Sequence, residues 1–103
     1  MIQIETEVVD KTVNVKLPPT LDIPSCEALR ESVLSNLAPG MALRLDSERV
    51  EQLTTPGVQM LLAVAECAGR KETAFKIAHP SEALIEAFKD AGLFSTLMAW
   101  DLE

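Results

Sequence analysis

Apolar and polar residues alternate along two short segments at the start of the chain. Every second residue from Ile2 to Val8 is apolar except Thr6, and the same alternation returns in residues 13–17 after a polar pair at 10–11. A period of two is typical of a strand with one buried face, and two such strands joined by a short polar turn form a hairpin. We therefore predict an N-terminal β-hairpin that the proline pair at 18–19 ends.

The spacing of apolar residues then changes to that of a helix. They recur at intervals of three or four residues, at Cys26, Leu29, Val33 and Leu37. Asp22 precedes this segment and offers a short side-chain acceptor for the free amides of a first helical turn. The pattern predicts a helix that starts near Asp22 and that Pro39 and Gly40 end.

The same two periods continue in alternation to the end of the chain. They predict a strand over 41–46, a helix from about Pro56 to Ala68, a strand over 73–77, a helix capped by Ser81 and stopped by Gly92, and an apolar tail over 93–100 that docks on the domain. Right-handed crossovers between the strands require a mixed sheet. Since apolar and polar residues alternate in all four predicted strands, we expect one face of the sheet to lack helical cover. We predict an α/β fold, a two-layer sandwich with a mixed sheet of about four strands and three or four helices mainly on one face.

Length and charge restrict the function classes. The 103 residues make one domain over residues 1–103, and the formal net charge of −7 disfavours direct binding to nucleic acid. No apolar run approaches the roughly 20 residues of a membrane span, and the N-terminus lacks a basic stretch followed by an apolar block. We expect a cytoplasmic protein without membrane insertion.

The residue types give little support for a metal site or for an enzyme active site. Cys26 and Cys67 lie far apart without paired-ligand spacing, and His79 is the single histidine. Zinc sites normally need several such ligands at short intervals, so we expect no metal site and no cofactor. His79 precedes a predicted helix and is interpreted as a loop residue. No nucleophile and base stand out together, so we expect no catalytic residues and a protein that is not an enzyme.

One segment resembles a known family signature. In this signature an aspartate ends a strand, and aliphatic residues and an Asp-Ser-Ser-Gly-Leu sequence then open a helix. The matching positions are Asp46, Val50, Leu53, Gly57 and Val58. Leu21 with Asp22 and the Gly92-Leu93 pair also match in order. The chain thus resembles the STAS domain, the family of bacterial anti-sigma factor antagonists and of sulfate-transporter C-terminal domains.

The resemblance implies a regulatory function. In such antagonists a partner protein kinase phosphorylates the central serine of Asp-Ser-Ser, and Thr54, Thr55 and Pro56 stand at those three positions. Thr55 is then the phosphorylation candidate, and the implied partner is a serine/threonine kinase or anti-sigma factor. The alternative is an accessory subunit of an ABC-type lipid or anion transport complex, in which Thr55 only caps the helix.

The predicted partner-binding residues surround this helix start. They are Asp22, Thr54, Thr55, Pro56, Gly57 and Met60. We interpret Thr55 as the N-cap with Pro56 at the first helical position, and free amides there would stabilise a phosphate. Gly57 either lets a partner approach closely or is a tolerated first-turn residue. The helix also carries a second apolar stripe at Met60, Val64 and Cys67, which either packs in the core or faces a partner.

Overall fold

The computed structural model describes residues 4–36, 38 and 40–103. Its strands are β1 Glu5–Val9, β2 Thr12–Lys16, β3 Thr20–Leu21, β4 Ala42–Asp46, β5 Gln52–Leu53, β6 Phe75–Ala78 and β7 Asp101–Leu102. Its helices are α1 Ile23–Asn36, α2 Thr55–Arg70, α3 Glu82–Asp90 and α4 Phe94–Ala99. The predictions for Leu37, for Pro39 and for the first three residues lie outside the described ranges.

The N-terminal hairpin is confirmed. β1 pairs antiparallel with β2, with Val8 opposite Val13. Asp10 and Lys11 form the turn with φ values of 49° and 63°. Positive φ at both central residues suits a two-residue hairpin, because the turn then twists in the same sense as the strands.

The main sheet is mixed and has the order β1-β2-β4-β6-β7. The pairs from β2 to β7 are parallel, whereas β1 and β2 are antiparallel. Alternate residues of the central strands are buried, namely Val13, Val15, Leu43, Leu45 and Ile77. The predicted α/β sandwich and its mixed sheet are thus confirmed, with five strands in this sheet instead of about four.

Three short strands were not predicted from the sequence. β3, β5 and β7 have two residues each, which is too short for a period to show. β3 and β5 form a separate parallel pair, in which Thr20 lies opposite Gln52 and Leu21 opposite Leu53. This small pair positions the starts of α1 and α2.

The helices cover one face of the sheet with a single core. The fully buried side chains Leu29, Leu61, Leu84, Phe88 and Leu97 come from all four helices and join the buried strand residues in one cluster. The predicted docking of the C-terminal tail is confirmed by Leu97. Burial of each such side chain contributes roughly 1.5–3 kcal/mol. Among the described residues, no helix combines the length and apolar character needed to cross a membrane.

The start of α3 is as the sequence predicts, whereas one residue at its end differs from the prediction. The Ser81 hydroxyl accepts a hydrogen bond from the Leu84 amide at 3.1 Å, as a cap should. Ala91 continues the helical spacing of the buried residues Leu84 and Phe88, which predicts an inward-facing side chain, but it is exposed. It lies just beyond the last turn, where Gly92 reverses the chain with a φ of 74°.

The face of the sheet away from the helices is polar but not simply open to water. The Arg44 guanidinium contacts the Glu103 carboxylate at 2.7 Å and the Asn14 side-chain oxygen at 3.3 Å. Lys76 lies 3.4 Å from the same carboxylate. The hydrogen bond from Arg44 lowers the pKa of Glu103, and the hydrogen bond from Lys76 lowers it further. These contacts link β4 and β6 to the end of the chain.

Candidate functional site

Two strand-to-helix junctions lie side by side and follow one pattern. Residues 21–24 read Leu-Asp-Ile-Pro and residues 53–56 read Leu-Thr-Thr-Pro. In each, a leucine ends a strand, the next residue precedes the helix, and proline is the second helical residue. Pairing of β3 with β5 places the two leucines opposite each other. The Cys26 thiol also contacts the Pro56 carbonyl oxygen at 3.7 Å, so the starts of α1 and α2 are neighbours. We call residues 21–24 and 53–56 together the paired helix starts.

Thr54, not Thr55, caps α2. Its backbone is extended, with φ −80° and ψ 168°. Its hydroxyl oxygen accepts a hydrogen bond from the Gly57 amide at 3.4 Å and donates one to the Leu21 carbonyl at 2.8 Å. The expectation that Thr55 is the N-cap is therefore wrong, because the helix begins one residue earlier than the position of proline suggested. Thr55 is the first helical residue and Pro56 the second.

Thr55 is exposed at the start of α2. Within the described ranges, its hydroxyl makes no hydrogen bond to the protein. The two neighbouring threonines thus differ in chemistry: the Thr54 hydroxyl holds two backbone groups, whereas the Thr55 hydroxyl points to no protein partner. Only the second is available for modification without breaking a structural hydrogen bond.

The first turn of α2 offers little to an anion. Pro56 has no amide hydrogen, the Gly57 amide donates to Thr54, and the Val58 amide donates to the Thr54 carbonyl. Of the first four residues whose amides an α-helix leaves free, only Thr55 has an amide hydrogen without an acceptor among the described residues. The expectation that free amides would hold a phosphate is therefore reduced to one amide and the helix dipole. A phosphate on Thr55 would remain largely hydrated.

Gly57 has a packing role that neither sequence interpretation included. It is buried, and a Cβ placed on it would lie 2.6 Å from the Leu21 carbonyl oxygen and 2.7 Å from a Leu53 methyl carbon. Real Cβ atoms do not approach so closely, so both junctions can pack together only with glycine here. Contact between a partner and the Gly57 backbone stays a prediction.

Asp22 caps the neighbouring helix. Its carboxylate accepts a hydrogen bond from the Ser25 amide at 3.1 Å. Burial raises the pKa of the nearby Cys26 thiol, and the Asp22 charge raises it further. A raised pKa makes the thiolate scarce at neutral pH, which agrees with packing and not with redox chemistry for Cys26.

The second apolar stripe of α2 divides between core and surface. Val64 is buried, whereas Met60 and Cys67 are half-buried. With Val33 and Leu34 of α1 they line an apolar groove of about 200 Å³ between the two helices. The core interpretation therefore applies to Val64, and Met60 remains accessible one turn beyond Thr55.

Ile23 belongs to this site and was not among the residues predicted from the sequence. It is the first residue of α1, the position that Thr55 holds in α2, and it is 60% exposed. The signal that could have found it is the repeated Leu-x-x-Pro pattern at 21–24 and 53–56. The two helices thus begin with an exposed isoleucine and with an exposed threonine whose hydroxyl has no hydrogen bond among the described residues.

A second polar cluster lies where β4 and β6 end. The ligand atoms of Asp46, Glu48 and His79 lie within 4.8 Å of one another, a grouping that spacing along the chain does not reveal. The Asp46 carboxylate already accepts a hydrogen bond from the Glu48 amide at 3.0 Å and lies 3.5 Å from His79 Nδ1. These contacts tie Asp46 to the backbone after β4 and to the loop after β6.

Comparisons with known proteins agree with this geometry. The family model described as "Mlab, STAS domain" matches residues 4–99. A search of curated proteins finds no match.

Solved structures share the fold. RsbS of Moorella thermoacetica, in a variant with glutamate replacing a serine, is similar with a TM-score of 0.79 and 21% identity, over 99% of this chain and 86% of that one. The anti-sigma factor antagonist SpoIIAA in its unphosphorylated form has a TM-score of 0.70 and 20% identity, over 89% of this chain and 83% of that one. Since the matched family model spans nearly the whole chain, this protein belongs to the STAS-domain family.

Proposed function

We propose that this protein is a non-enzymatic docking module of the anti-sigma factor antagonist type. Its partner, a serine/threonine kinase or anti-sigma factor, binds the paired helix starts and contacts Thr55 and Ile23. Phosphorylation of Thr55 by the kinase then releases the partner.

The observation that carries this proposal is the unpaired, exposed Thr55 hydroxyl on the first residue of α2. A kinase can reach it without unfolding the helix, because no structural hydrogen bond has to break. Two proteins of similar structure are consistent with such a switch. One is the anti-sigma factor antagonist SpoIIAA in its unphosphorylated form, and the other is RsbS with a glutamate in place of a serine.

The physical effect of phosphorylation would be at the surface. A phosphate adds about −1.5 to −2 charges at neutral pH. With a single free amide beside it, the phosphate keeps its water, and a partner that packs against Ile23 would have to remove that water. Burying an unpaired charge is costly, so the modified surface binds less tightly while the fold stays the same.

Intact-mass measurement after incubation with the cognate kinase and ATP tests the acceptor. We expect one added phosphate in the natural protein and none in Thr55→Ala. The matched control is Thr54→Ala, which removes the neighbouring hydroxyl. This variant should still accept the phosphate and should melt at a lower temperature, because it loses the cap of α2.

Two outcomes would contradict the assignment. One is an unchanged mass for the natural protein with an active kinase. The other is a phosphate that persists in Thr55→Ala and disappears in Thr54→Ala, which would make the capping threonine the acceptor.

One observation favours the transport alternative. The first turn of α2 offers an anion only the Thr55 amide, because Pro56 has no amide hydrogen and the Thr54 cap occupies the Gly57 amide, so the helix start does not stabilise a phosphate strongly. In an accessory subunit of an ABC-type transport complex the paired helix starts would form a constitutive docking surface. Co-purification with an ATPase subunit, unaffected by Thr55→Ala, would support this alternative over the switch.

A further inference from the structure

A cleft of about 650 Å³ opens beside the paired helix starts, between α2 and α3. Its size falls within the range of about 300–1,000 Å³ that binding sites usually have. Thr55 stands among its lining residues, and the apolar part of the lining includes Val58, Leu62, Ala87 and Leu93. The cleft is thus continuous with the surface at which the proposed partner binds.

The charge of the cleft has one sign. Glu51, Glu86 and Asp90 are lining residues, and all three side chains are exposed. The lining, as far as the structure describes the chain, includes no Lys, Arg or His. None of the three carboxylates forms a salt bridge with the described residues. An apolar floor with unpaired acids around it is complementary to an amphipathic segment with basic residues along its edges.

We propose that this cleft holds a basic amphipathic helix of the protein partner, an inference that rests on the proposed function. Apolar residues at helical spacing enter between α2 and α3, and flanking lysines or arginines pair with Glu51, Glu86 and Asp90. The segment passes Thr55, which lines the cleft. The acids raise the rate of encounter with a basic segment, and the apolar floor holds it.

A synthetic helical peptide with leucines on one face and lysines along both edges tests the cleft. In a two-dimensional amide NMR titration of the full chain, we expect shifts at Val58, Ala87 and Leu93. The variant Glu51→Gln/Glu86→Gln/Asp90→Asn should bind about tenfold more weakly, because exposed ion pairs contribute individually little but act together here. A peptide with glutamates in place of the lysines should not bind.

The control variant removes the same charge elsewhere. Glu7, Glu31 and Glu72 are exposed and do not line the cleft. Their replacement by Gln should change the peptide affinity by less than about twofold, since distant exposed charges are largely screened. Equal weakening in both variants, or shifts on another face, would overturn the proposal, since attraction would then follow net charge alone.

The experiments distinguish a wrong proposal about the cleft from a wrong proposal about the Thr55 switch. If the cognate kinase phosphorylates Thr55 while the peptide does not bind the cleft, the inference about the cleft is wrong and the proposed function stands. If the peptide binds the cleft and Thr55 accepts no phosphate, the cleft is supported and the switch is contradicted.

Discussion

The junctions that lead into α1 and α2 share a backbone pattern and differ in their caps. Asp22 and Thr54 each accept a hydrogen bond from an amide in the first turn of their helix. Thr54 also donates its hydroxyl to the Leu21 carbonyl at 2.8 Å, which an ionised carboxylate cannot do. The threonine therefore ties the second junction to the first. This gives a structural reason for Thr54 at the position where the family signature has aspartate.

The third helical residue also differs between the two junctions. In α1 it is Ser25, which is buried and donates its hydroxyl to the Thr20 carbonyl at 2.9 Å. In α2 it is Gly57, against which the Leu21 carbonyl packs. The junctions are thus related in pattern but not interchangeable, because Ser25 bonds to its own junction whereas Gly57 leaves room for the neighbouring one.

The first helical residues of α1 and α2 differ in a way that bears on function. Ile23 in α1 is an exposed apolar residue, and Thr55 in α2 is an exposed hydroxyl. At equivalent positions of the two helix starts, they offer an apolar side chain and a hydroxyl that can gain charge. We infer that the first provides affinity and the second provides control.

Replacing the third helical residues should have the largest effect on stability. Gly57→Ala should lower the free energy of unfolding by about 2–3 kcal/mol, since its Cβ would overlap the Leu21 carbonyl and a Leu53 methyl. Ser25→Ala adds no atoms and removes one hydrogen bond, so we expect a loss of about 1 kcal/mol. Urea unfolding measures both. A Gly57→Ala variant as stable as the natural protein would show that the junctions are not closely packed.

Exchanging the cap should have an intermediate effect. Thr54→Asp places the α1 cap on α2 and should lower the free energy of unfolding by about 1 kcal/mol, because the hydroxyl donation to Leu21 is lost. Thr54→Ser keeps the hydroxyl and should change stability by less than about 0.5 kcal/mol. Thermal and urea unfolding check the pair. Greater stability for the aspartate variant would show that the hydrogen bond to Leu21 adds nothing.

The sequence predicted the long elements better than the site. The hairpin, α1, α2 and α3 have periods that extend over several residues, and the capping serine at 81 was found from its residue type. β3 and β5 could not be found from a period because each has two residues. Since the pairing of β3 with β5 brings the helix starts together, the sequence pattern also could not predict that α1 and α2 begin next to each other.

The boundary of α2 shows a second limit of sequence reasoning. Proline fits the first helical position and also the second, so its presence did not decide between Thr54 and Thr55 as the cap. The decision comes from the Leu21 carbonyl, which lies 33 residues away in sequence and accepts the Thr54 hydroxyl. Long-range contacts of this kind leave no mark on local spacing.

Substitution at the first helical positions should affect stability least and partner binding most. We expect Thr55→Glu to change the free energy of unfolding by less than about 0.5 kcal/mol, since an acid at a helix start is well tolerated. Ile23→Glu should behave similarly, because the side chain is already exposed. Val8→Glu, at an exposed apolar position of β1 away from the helix starts, is the matched control.

The affinity of the cognate kinase for these variants, measured by isothermal titration calorimetry, decides whether the partner docks on the paired helix starts. We predict that Thr55→Glu and Ile23→Glu each weaken binding at least about tenfold, as loss of a central contact does, with unchanged melting curves, whereas Val8→Glu binds normally. Full affinity in Thr55→Glu and Ile23→Glu would contradict this docking site, because the partner would then bind elsewhere on the molecule.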